Sequence, residues 1–219
     1  MPGSFHVVFA SDFSVRGGHD PGFSQAITWD TDLLSGYPYT VLQSNLTHAP
    51  QAWKDLDGRG LAPLIKRLRP NAILLNSLTY RYDITAYFLA RRLGIPLWMR
   101  CEIQDEAVTR SVVKGFLRSS YYRLLYSGIS KAFTIGQLNR KHWLRHGLRS
   151  DQLRESCYCT PDRASTLSLQ ERENRRTKLR HELGLSSNNF LFSFFGKLIP
   201  KKDPSLLLQS AVHVRPDVR

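Results

Sequence analysis

An apolar run at residues 190–196 constrains the fold of this chain more than any other stretch. It reads Phe-Leu-Phe-Ser-Phe-Phe-Gly, so five of its first six residues are apolar, and it ends at Gly196. Such a run predicts a strand buried on both faces of a parallel sheet. Asp203 and Pro204 then fit the N-cap and first turn of a helix whose apolar face spans residues 206–212. A strand, a short loop and a helix in this order predict a βα unit.

The loop between this strand and this helix is basic. It carries Lys197, Lys201 and Lys202. A glycine at the carboxyl end of a buried strand lets a ligand approach the backbone closely, and cations beside a helix N-terminus suit a phosphate group. On this pattern alone, a solvated basic loop without a ligand is the alternative.

The sequence of this region resembles that of a known protein family. From Gly196 the chain reads Gly-Lys-Leu-Ile-Pro-Lys-Lys-Asp-Pro, followed by Ser-Leu-Leu-Leu-Gln-Ser-Ala. This resembles the start of the donor-binding domain in glycosyltransferase family 4, the retaining transferases of the GT-B fold. The resemblance implies that Lys197 and Lys202, beside Gly196, hold the diphosphate of a nucleotide-sugar and stabilise it as it leaves. It also implies that no metal or other cofactor is required, because basic residues take the metal's place.

A second candidate ligand-binding loop, residues 11–23, follows the first predicted strand. By the carboxyl-end rule for open α/β sheets, this turn-rich loop faces the ligand crevice. It lacks the G-x-G-x-x-G dinucleotide pattern, and the chain has no Walker A motif. The loop resembles the acceptor-side loop of bacterial family members, which makes Gly17, Gly18, His19 and Asp20 candidate acceptor contacts. A structural Gly/Pro loop is the alternative.

Arg100 and Glu102 follow another predicted strand, residues 95–99, and therefore reach the same edge of the sheet. The Arg-Cys-Glu sequence resembles an Arg-Gly-Asp/Glu element of the family, with Cys101 in place of the usual glycine. The resemblance implies contacts to a sugar or an acceptor. A structural ion pair between Arg100 and Glu102 is the alternative.

Predicted strands and helices alternate along the whole chain, which is typical of an α/β fold with a parallel sheet flanked by helices on both faces. The helix at 112–127 carries a broad apolar stripe. The predicted strands cover residues 5–10, 39–43, 72–75, 95–99, 131–135, 156–160 and 190–195, and the predicted helices cover residues 61–68, 84–93, 112–127, 138–146, 171–183 and 206–212.

The resemblance sets the expected domain organisation. We expect a Rossmann-like acceptor-side domain of the GT-B N-terminal type over residues 1–162. A linker with a basic helix then covers 163–185, and the first strand and helix of a second, nucleotide-sugar-binding Rossmann-like domain cover 186–219. Two such domains need about 300–400 residues. The 219 residues therefore predict a fragment that is inactive alone, because its donor domain is incomplete.

The net charge of the chain indicates which kind of partner it could bind. The chain has 31 basic and 18 acidic residues, a formal net charge of +13, which suits an anionic partner. No run approaches the roughly 18 apolar residues of a membrane helix, and the N-terminus lacks a signal-peptide layout. We expect a cytoplasmic protein, with peripheral contact at the inner face of the plasma membrane as a further option.

Two classes of function follow from these observations. The first is a retaining glycosyltransferase of bacterial polysaccharide or glycoconjugate synthesis. It would move a sugar from a nucleoside-diphosphate sugar to a hydroxyl of a glycan, a lipid-linked molecule or a small molecule. The second is a non-catalytic basic α/β module that binds RNA or anionic surfaces through the helix at 171–183. We expect no specific nucleic-acid binding, because the chain has no stacking-aromatic RNA motif and no helix-turn-helix signature.

Histidine and cysteine spacing raises one further alternative. His142 and His146 lie four residues apart on a predicted helix, and with Cys157 and Cys159 they spell a two-His, two-Cys zinc set. The order and the Cys-x-Cys spacing fit none of the common zinc layouts. We therefore predict no metal site and expect surface histidines and strand cysteines.

Overall fold

A computed structural model describes residues 4–20, 24–44, 46, 48–106, 111–160, 162–186 and 188–213. Short 3-10 turns also occur at Ser150–Gln152 and Pro200–Lys202. The elements in chain order are β1 (Val7–Ser11), α1 (Phe13–Arg16), β2 (Gly18–Asp20), β3 (Gln25–Ile27), β4 (Tyr39–Gln43), α2 (Leu61–Leu68), β5 (Ile73–Leu75), α3 (Arg81–Arg92), β6 (Leu97–Arg100), α4 (Val112–Tyr126), β7 (Lys131–Thr134), α5 (Gln137–Arg145), β8 (Leu153–Glu155), α6 (Leu169–Glu182) and α7 (Pro204–Ala211).

Parallel strands form the main sheets. Strands β5, β6, β7 and β8 make a four-stranded parallel sheet in that order, and β1 pairs in parallel with β4. Strands β2 and β3 form a separate two-stranded sheet. Helices alternate with the strands along the chain and flank the parallel sheets, so the predicted α/β, Rossmann-like class is confirmed.

The register of the four-stranded sheet places one apolar row in the core. Leu75 lies opposite Met99, Met99 opposite Ala132, and Ala132 opposite Leu153. All four side chains are buried. Because side chains alternate between the two faces of a strand, this row defines the face that packs under the helices. Burial of each large apolar side chain of this kind stabilises the fold by about 1.5–3 kcal/mol.

A glycine permits close packing between α3 and the turn after α4. A Cβ atom on Gly128 would lie 2.3 Å from the Tyr87 hydroxyl. That hydroxyl donates a hydrogen bond of 2.7 Å to the carbonyl of Leu125 at the end of α4. A larger side chain at position 128 would therefore break a buried hydrogen bond that joins two helices.

The chain divides into two compact units. The first comprises Met1–Gly18 and Thr28–Tyr158, and the second comprises His19–Ile27 and Cys159–Arg219. The apolar core described above belongs to the first unit. In the second unit, none of the residues that the structure describes is buried.

Two predicted strands are wrong. Residues 190–195 are irregular, and Phe195 is 92% exposed, because no described strand pairs with this segment. The strand predicted at 156–160 lies instead at β8, residues 153–155. The backbone N–H of Ser156 donates to the Thr134 carbonyl, the last hydrogen bond of that ladder, and the chain then leaves the sheet.

Candidate functional site

The candidate functional site is a cavity of about 650 Å³ in the first unit. It opens at the carboxyl ends of β5 and β6, which is where open α/β sheets bind ligands. Its walls come from two strand-end loops, from one side of α4 and from the chain beyond β8. The lining residues are those at 76–79 and 99–103, together with Tyr121, Tyr122, Leu125, Tyr126 and Tyr158.

Arg100 and Glu102 meet at Tyr158 on the cavity wall. The Tyr158 hydroxyl donates a 2.5 Å hydrogen bond to Glu102 Oε1, which raises the pKa of the phenol. The Arg100 guanidinium carbon lies 4.2 Å from the centre of the Tyr158 ring, a cation–π distance. Arg100 also donates 3.3 Å hydrogen bonds to the carbonyls of Ser156 and Cys157. The two predicted residues therefore each contact Tyr158, and the structural ion pair between them is not what the structure shows.

This arrangement suits a ligand rich in hydroxyl groups. A carboxylate accepts hydrogen bonds from hydroxyls, and a guanidinium donates them. The tyrosine rings on the wall offer apolar faces with polar tips, which can pack against a ligand and still bond to it. A mostly apolar wall with a few convergent polar groups is the usual composition of a small-molecule site.

A buried carboxylate fixes the first wall of the cavity. Asp83, near the start of α3, accepts hydrogen bonds from the Ser77 hydroxyl at 2.6 Å and from the backbone N–H groups of Thr79 and Tyr80, each at 2.9 Å. Three donors on one buried carboxylate leave the loop at 76–79 little freedom to move. This wall is therefore preorganised before a ligand arrives.

An asparagine of α5 fixes the second wall. The Asn139 amide donates to the carbonyls of Cys101 and Ile103 at 3.0 and 2.7 Å. Its amide oxygen accepts from the backbone N–H of Ile135 and from the Trp143 indole, each at 3.2 Å. The side chain thus ties the loop that carries Glu102 to the core of the first unit. Burial also raises the pKa of the Cys101 thiol, which keeps it protonated.

Asp105 lies just beyond that loop and accepts hydrogen bonds from side chains of α4 and of the α5 region. His142 Nδ1 lies 2.9 Å and His146 Nε2 3.3 Å from Asp105 Oδ1, and Arg145 donates to Oδ2 at 3.0 Å. Arg118 of α4 also donates to this carboxylate. We call these five residues the Asp105 cluster.

Charge and burial set the ionisation of the Asp105 cluster. Partial burial opposes ionisation of Asp105, but the hydrogen bonds from Arg118, His142 and His146 outweigh it and hold the pKa of the carboxyl well below its ordinary value. Burial lowers the pKa of His142 to about 4, against the opposing hydrogen bond to Asp105. Near neutral pH the cluster therefore combines a carboxylate with a neutral buried imidazole.

Three residues of the Asp105 cluster are close enough together to hold a metal ion. The ligand atoms of Asp105, His142 and His146 lie within 4.8 Å of one another. Both imidazoles are already hydrogen-bonded at both nitrogens, through Tyr126 at 2.9 Å for His142 and Ser119 at 3.3 Å for His146. A metal ion would have to displace these partners. We interpret the cluster as a hydrogen-bonded anchor.

The zinc set considered from the sequence is not assembled as such. The structure brings its two histidines together, and Asp105 joins them in place of a cysteine. The expected surface histidines and strand cysteines are wrong, because both histidines are buried and Cys157 and Cys159 follow the end of β8. Cys157 is exposed, and its sulfur lies 3.9 Å from a carboxylate oxygen of Glu155.

The residues predicted to bind the donor diphosphate lie in the second unit. Lys197 is half-buried in irregular chain, and Lys202 is exposed at the end of the 3-10 turn. Asp203 occupies the N-cap position of α7 as predicted, but with φ of 41°, and its carboxylate accepts from the Ser205 hydroxyl instead of capping the helix backbone. The side chain of Lys201 lies outside the described residues. The binding roles of Gly196, Lys197 and Lys202 stay predictions.

The loop after β1 contains more regular structure than its sequence suggests. It forms α1 and β2, and Arg16 makes a 2.9 Å ion pair with Asp12. Gly17 has φ of 79°, and a Cβ on Gly18 would lie 2.8 Å from the Phe13 ring. The local structure therefore explains why a glycine occupies each of these two positions. Neither lines the cavity.

His19 and Asp20, the other two acceptor candidates, belong to the second unit. His19 is exposed, and the side chain of Asp20 lies outside the described residues, as do residues 21–23. The acceptor role suggested for these residues stays a prediction.

Sequence reasoning missed three residues that shape the site: Tyr158, Asn139 and Asp105. Tyr158 fell within a strand that the structure does not contain. Asn139 sits in the first turn of α5, where a polar residue reads as an ordinary helix start. Asp105 has partners 13 to 41 residues away along the chain, so no local pattern marks it.

Charged side chains of the basic helix α6 contact residues close to them in the sequence. Its start has a capping box, in which the Ser168 hydroxyl accepts from the Glu171 backbone N–H at 3.2 Å. Arg176 pairs with Glu173 at 3.0 Å, and Arg180 donates to the carbonyls of Ser186 and Asn189. These contacts favour a solvated helix over a cationic stripe that is ready to bind nucleic acid.

Comparisons with known proteins leave the family open. No family model matches the chain, and no curated protein matches it. Among solved structures, the chain is similar to Anabaena Alr3699/HepE in complex with UDP and glucose, at 17% identity and a TM-score of 0.48. That alignment covers 83% of this chain and 46% of the other, so this chain spans about half the length of that protein. At this TM-score the likeness carries no argument about function.

Proposed function

We propose that this chain is part of a retaining glycosyltransferase of the family 4 type. It would transfer a sugar from a nucleoside-diphosphate sugar to a hydroxyl acceptor in bacterial polysaccharide or glycoconjugate synthesis. The observation that carries the proposal is the strand-end cavity in which Glu102, Tyr158 and Arg100 converge. The sequence at 196–211, which resembles the family's donor-binding start, supplies the donor side.

The cavity suits the acceptor half of this reaction. An acceptor hydroxyl can take the place of the Tyr158 hydroxyl at Glu102 Oε1, so the carboxylate exchanges one hydrogen bond for another. Arg100 stays attached to the backbone beyond β8 and supplies positive charge beside the bound acceptor. Both supporting walls are fixed by hydrogen bonds, and such preorganisation holds a hydroxyl in a reactive position.

The donor half rests on charge that develops during reaction. As the bond between the sugar and the diphosphate breaks, negative charge grows on the leaving diphosphate. A lysine in contact with that group stabilises the transition state more than the ground state, and only such interactions accelerate the chemical step. We assign this role to Lys197 and Lys202 and an accompanying structural role to Gly196.

Kinetics of lysine variants test the proposal. A charged hydrogen bond contributes about 1.5–3 kcal/mol, and about 1.4 kcal/mol corresponds to tenfold in rate. Lys197→Ala or Lys202→Ala in the active enzyme should therefore lower kcat for a nucleoside-diphosphate sugar by roughly ten- to a hundredfold. The matched control is Lys201→Ala, in the same loop, which should change kcat far less. Nucleotide release from a panel of UDP- and GDP-sugars provides the measurement.

Two outcomes would overturn the proposal. If all three lysine variants alter KM alone and to similar degrees, the loop is a general basic patch. If Glu102→Gln leaves acceptor KM and kcat unchanged, the cavity does not hold the acceptor. For that second arm, Glu106→Gln is the control, since Glu106 is exposed and does not line the cavity.

A further inference from the structure

The outward face of α4 is apolar. Phe116 is 71% exposed and Leu124 is 74% exposed, and Val113, Leu117 and Tyr121 on the same side of the helix are also exposed. Their spacing of three and four residues places them along one face of a helix. The apolar stripe seen in the sequence therefore faces away from the core, apart from Leu125, which is buried.

The inward face of α4 is anchored by specific contacts, so the helix cannot simply turn its apolar face inward. Tyr126 is 2% exposed and bonded to His142. Arg118 donates to Asp105, and the Ser119 hydroxyl lies 3.3 Å from His146 Nδ1. Rotation of the helix would break these buried polar contacts, each of which is costly to leave unmade. The exposure of the apolar face is thus built into the packing of the first unit.

Charge indicates what covers this face. Helix α4 contains no Asp or Glu, and its exposed residues Lys114 and Arg123 lie on the two margins of the apolar face. An apolar stripe bordered by cations is the pattern of a helix that lies in the interface of an anionic bilayer. A second copy of the chain is a poorer partner, because each copy carries a formal charge of +13.

We propose that α4 docks the protein on an anionic phospholipid bilayer, with its apolar face in the headgroup region and Lys114 and Arg123 against lipid phosphates. The 15 residues of α4 extend roughly 22 Å, which suits a helix lying flat on the surface. Among the described helices, none is long and apolar enough to cross a membrane. Tyr121 belongs to this face and also lines the cavity, so docking places the cavity beside the bilayer surface.

Vesicle co-sedimentation of the 219-residue chain tests this inference. The protein should bind phosphatidylcholine vesicles that contain about one-third phosphatidylglycerol and should not bind pure phosphatidylcholine. Phe116→Glu and Leu124→Glu should each weaken binding by about tenfold or more, because each places a charge where an apolar side chain enters the lipid. Replacing Lys114 and Arg123 together by Gln should weaken it by about tenfold and reduce its salt dependence.

The matched control is Phe88→Glu on α3, a phenylalanine that is 60% exposed and does not line the cavity. It makes the same chemical change elsewhere on the first unit and should leave vesicle binding unchanged. A thermal melt confirms that each variant is folded.

Three results would overturn the inference. One is no binding to anionic vesicles. Another is equal loss from Phe88→Glu and Phe116→Glu, which would mean that net charge alone drives binding. The third is concentration-dependent dimerisation of the wild type that Phe116→Glu abolishes, which would assign the face to a second copy. None of these results depends on transferase activity, so they are separable from failure of the proposed function.

Discussion

Residues 131–134 and 190–195 both fall in strands predicted from the sequence, but they differ in structure. Residues 131–134 read Lys-Ala-Phe-Thr and are the less apolar of the two, whereas residues 190–195 read Phe-Leu-Phe-Ser-Phe-Phe. Residues 131–134 form β7, which pairs with β6 on one side and β8 on the other and buries Ala132 completely. Residues 190–195 are irregular and largely exposed. The comparison teaches that an apolar run becomes a strand through pairing and burial, and that composition alone does not supply either.

The largest expected difference between the two segments lies in amide hydrogen exchange. Backbone N–H groups of β7 are hydrogen-bonded inside a sheet and exchange only on extensive unfolding, whereas those of 190–195 have no described strand partner. We expect exchange in 190–195 to be at least about a thousandfold faster. Exchange followed by NMR or mass spectrometry provides the measurement. Equal protection would show that 190–195 is paired in solution and would remove the contrast.

Truncation of a leucine in β6, the strand that pairs with β7, and of a leucine in 190–195 sharpens the comparison. Leu97 in β6 is 2% exposed, and Leu97→Ala should lower the free energy of unfolding by about 3–4 kcal/mol through a cavity in the core. Leu191→Ala is the matched control and should cost less than about 0.5 kcal/mol, because Leu191 is 47% exposed and lies outside the apolar core. Urea unfolding of both variants gives the values. Similar losses would place 190–195 within the cooperative core.

Acid should destabilise the first unit through His142. Burial lowers the pKa of His142 to about 4, whereas an unfolded histidine has its ordinary value of 6.5. As pH falls below 6.5, His142 therefore binds a proton in the unfolded chain, whereas in the folded chain it stays neutral until about pH 4. We expect the free energy of unfolding to fall by about 2–3 kcal/mol across this window. Asp105 adds to this loss only at lower pH, because its pKa is depressed.

A pair of histidine variants isolates that effect. His142→Gln lowers stability at every pH but should flatten the slope of unfolding free energy against pH between 6.5 and 4.5. His181→Gln, on the exposed helix α6 of the second unit, should leave the slope unchanged. Urea titrations at a series of pH values measure both slopes. An unchanged slope in His142→Gln would mean that another group carries the acid sensitivity.

The smallest expected effect concerns α6 in the second unit, a helix that is stabilised by local contacts. Its Ser168 cap is part of a capping box with Glu171. Ser168→Ala should cost about 1 kcal/mol of local helix stability. The change should appear as faster amide exchange in the first turn of α6 and leave β7 unaltered. Faster exchange in β7 as well would mean that the two units unfold together.

The sequence predicted well the elements that are set by local signals. Strand β4 and helix α2 match their predicted bounds, because turn-forming residues bracket the strand and Pro70 closely follows the helix. It failed where pairing over long sequence separation decides the outcome. Residues 190–195 lack a described strand partner, and the last strand of the sheet stops at Glu155 because its ladder with β7 stops there.

The candidate site was predicted in part for the same reason. Arg100 and Glu102 were found because a strand end places them at the carboxyl edge of the sheet. Tyr158, which joins them, lies 56 residues from Glu102 along the chain. No local pattern relates positions so far apart, so only the folded structure could show that they meet.

The Asp105 cluster has a consequence for how the molecule balances charge. Asp105 contributes one negative charge and Arg118 and Arg145 two positive ones, while Glu106 lies 4.0 Å from Arg145 and returns the sum to zero. The formal charges of these four side chains therefore sum to zero. A divalent cation added to these four would leave two positive charges in excess, and the cavity wall already carries Arg100. The Asp105 cluster thus resembles a metal centre by its ligand types but not by the formal charge of these side chains.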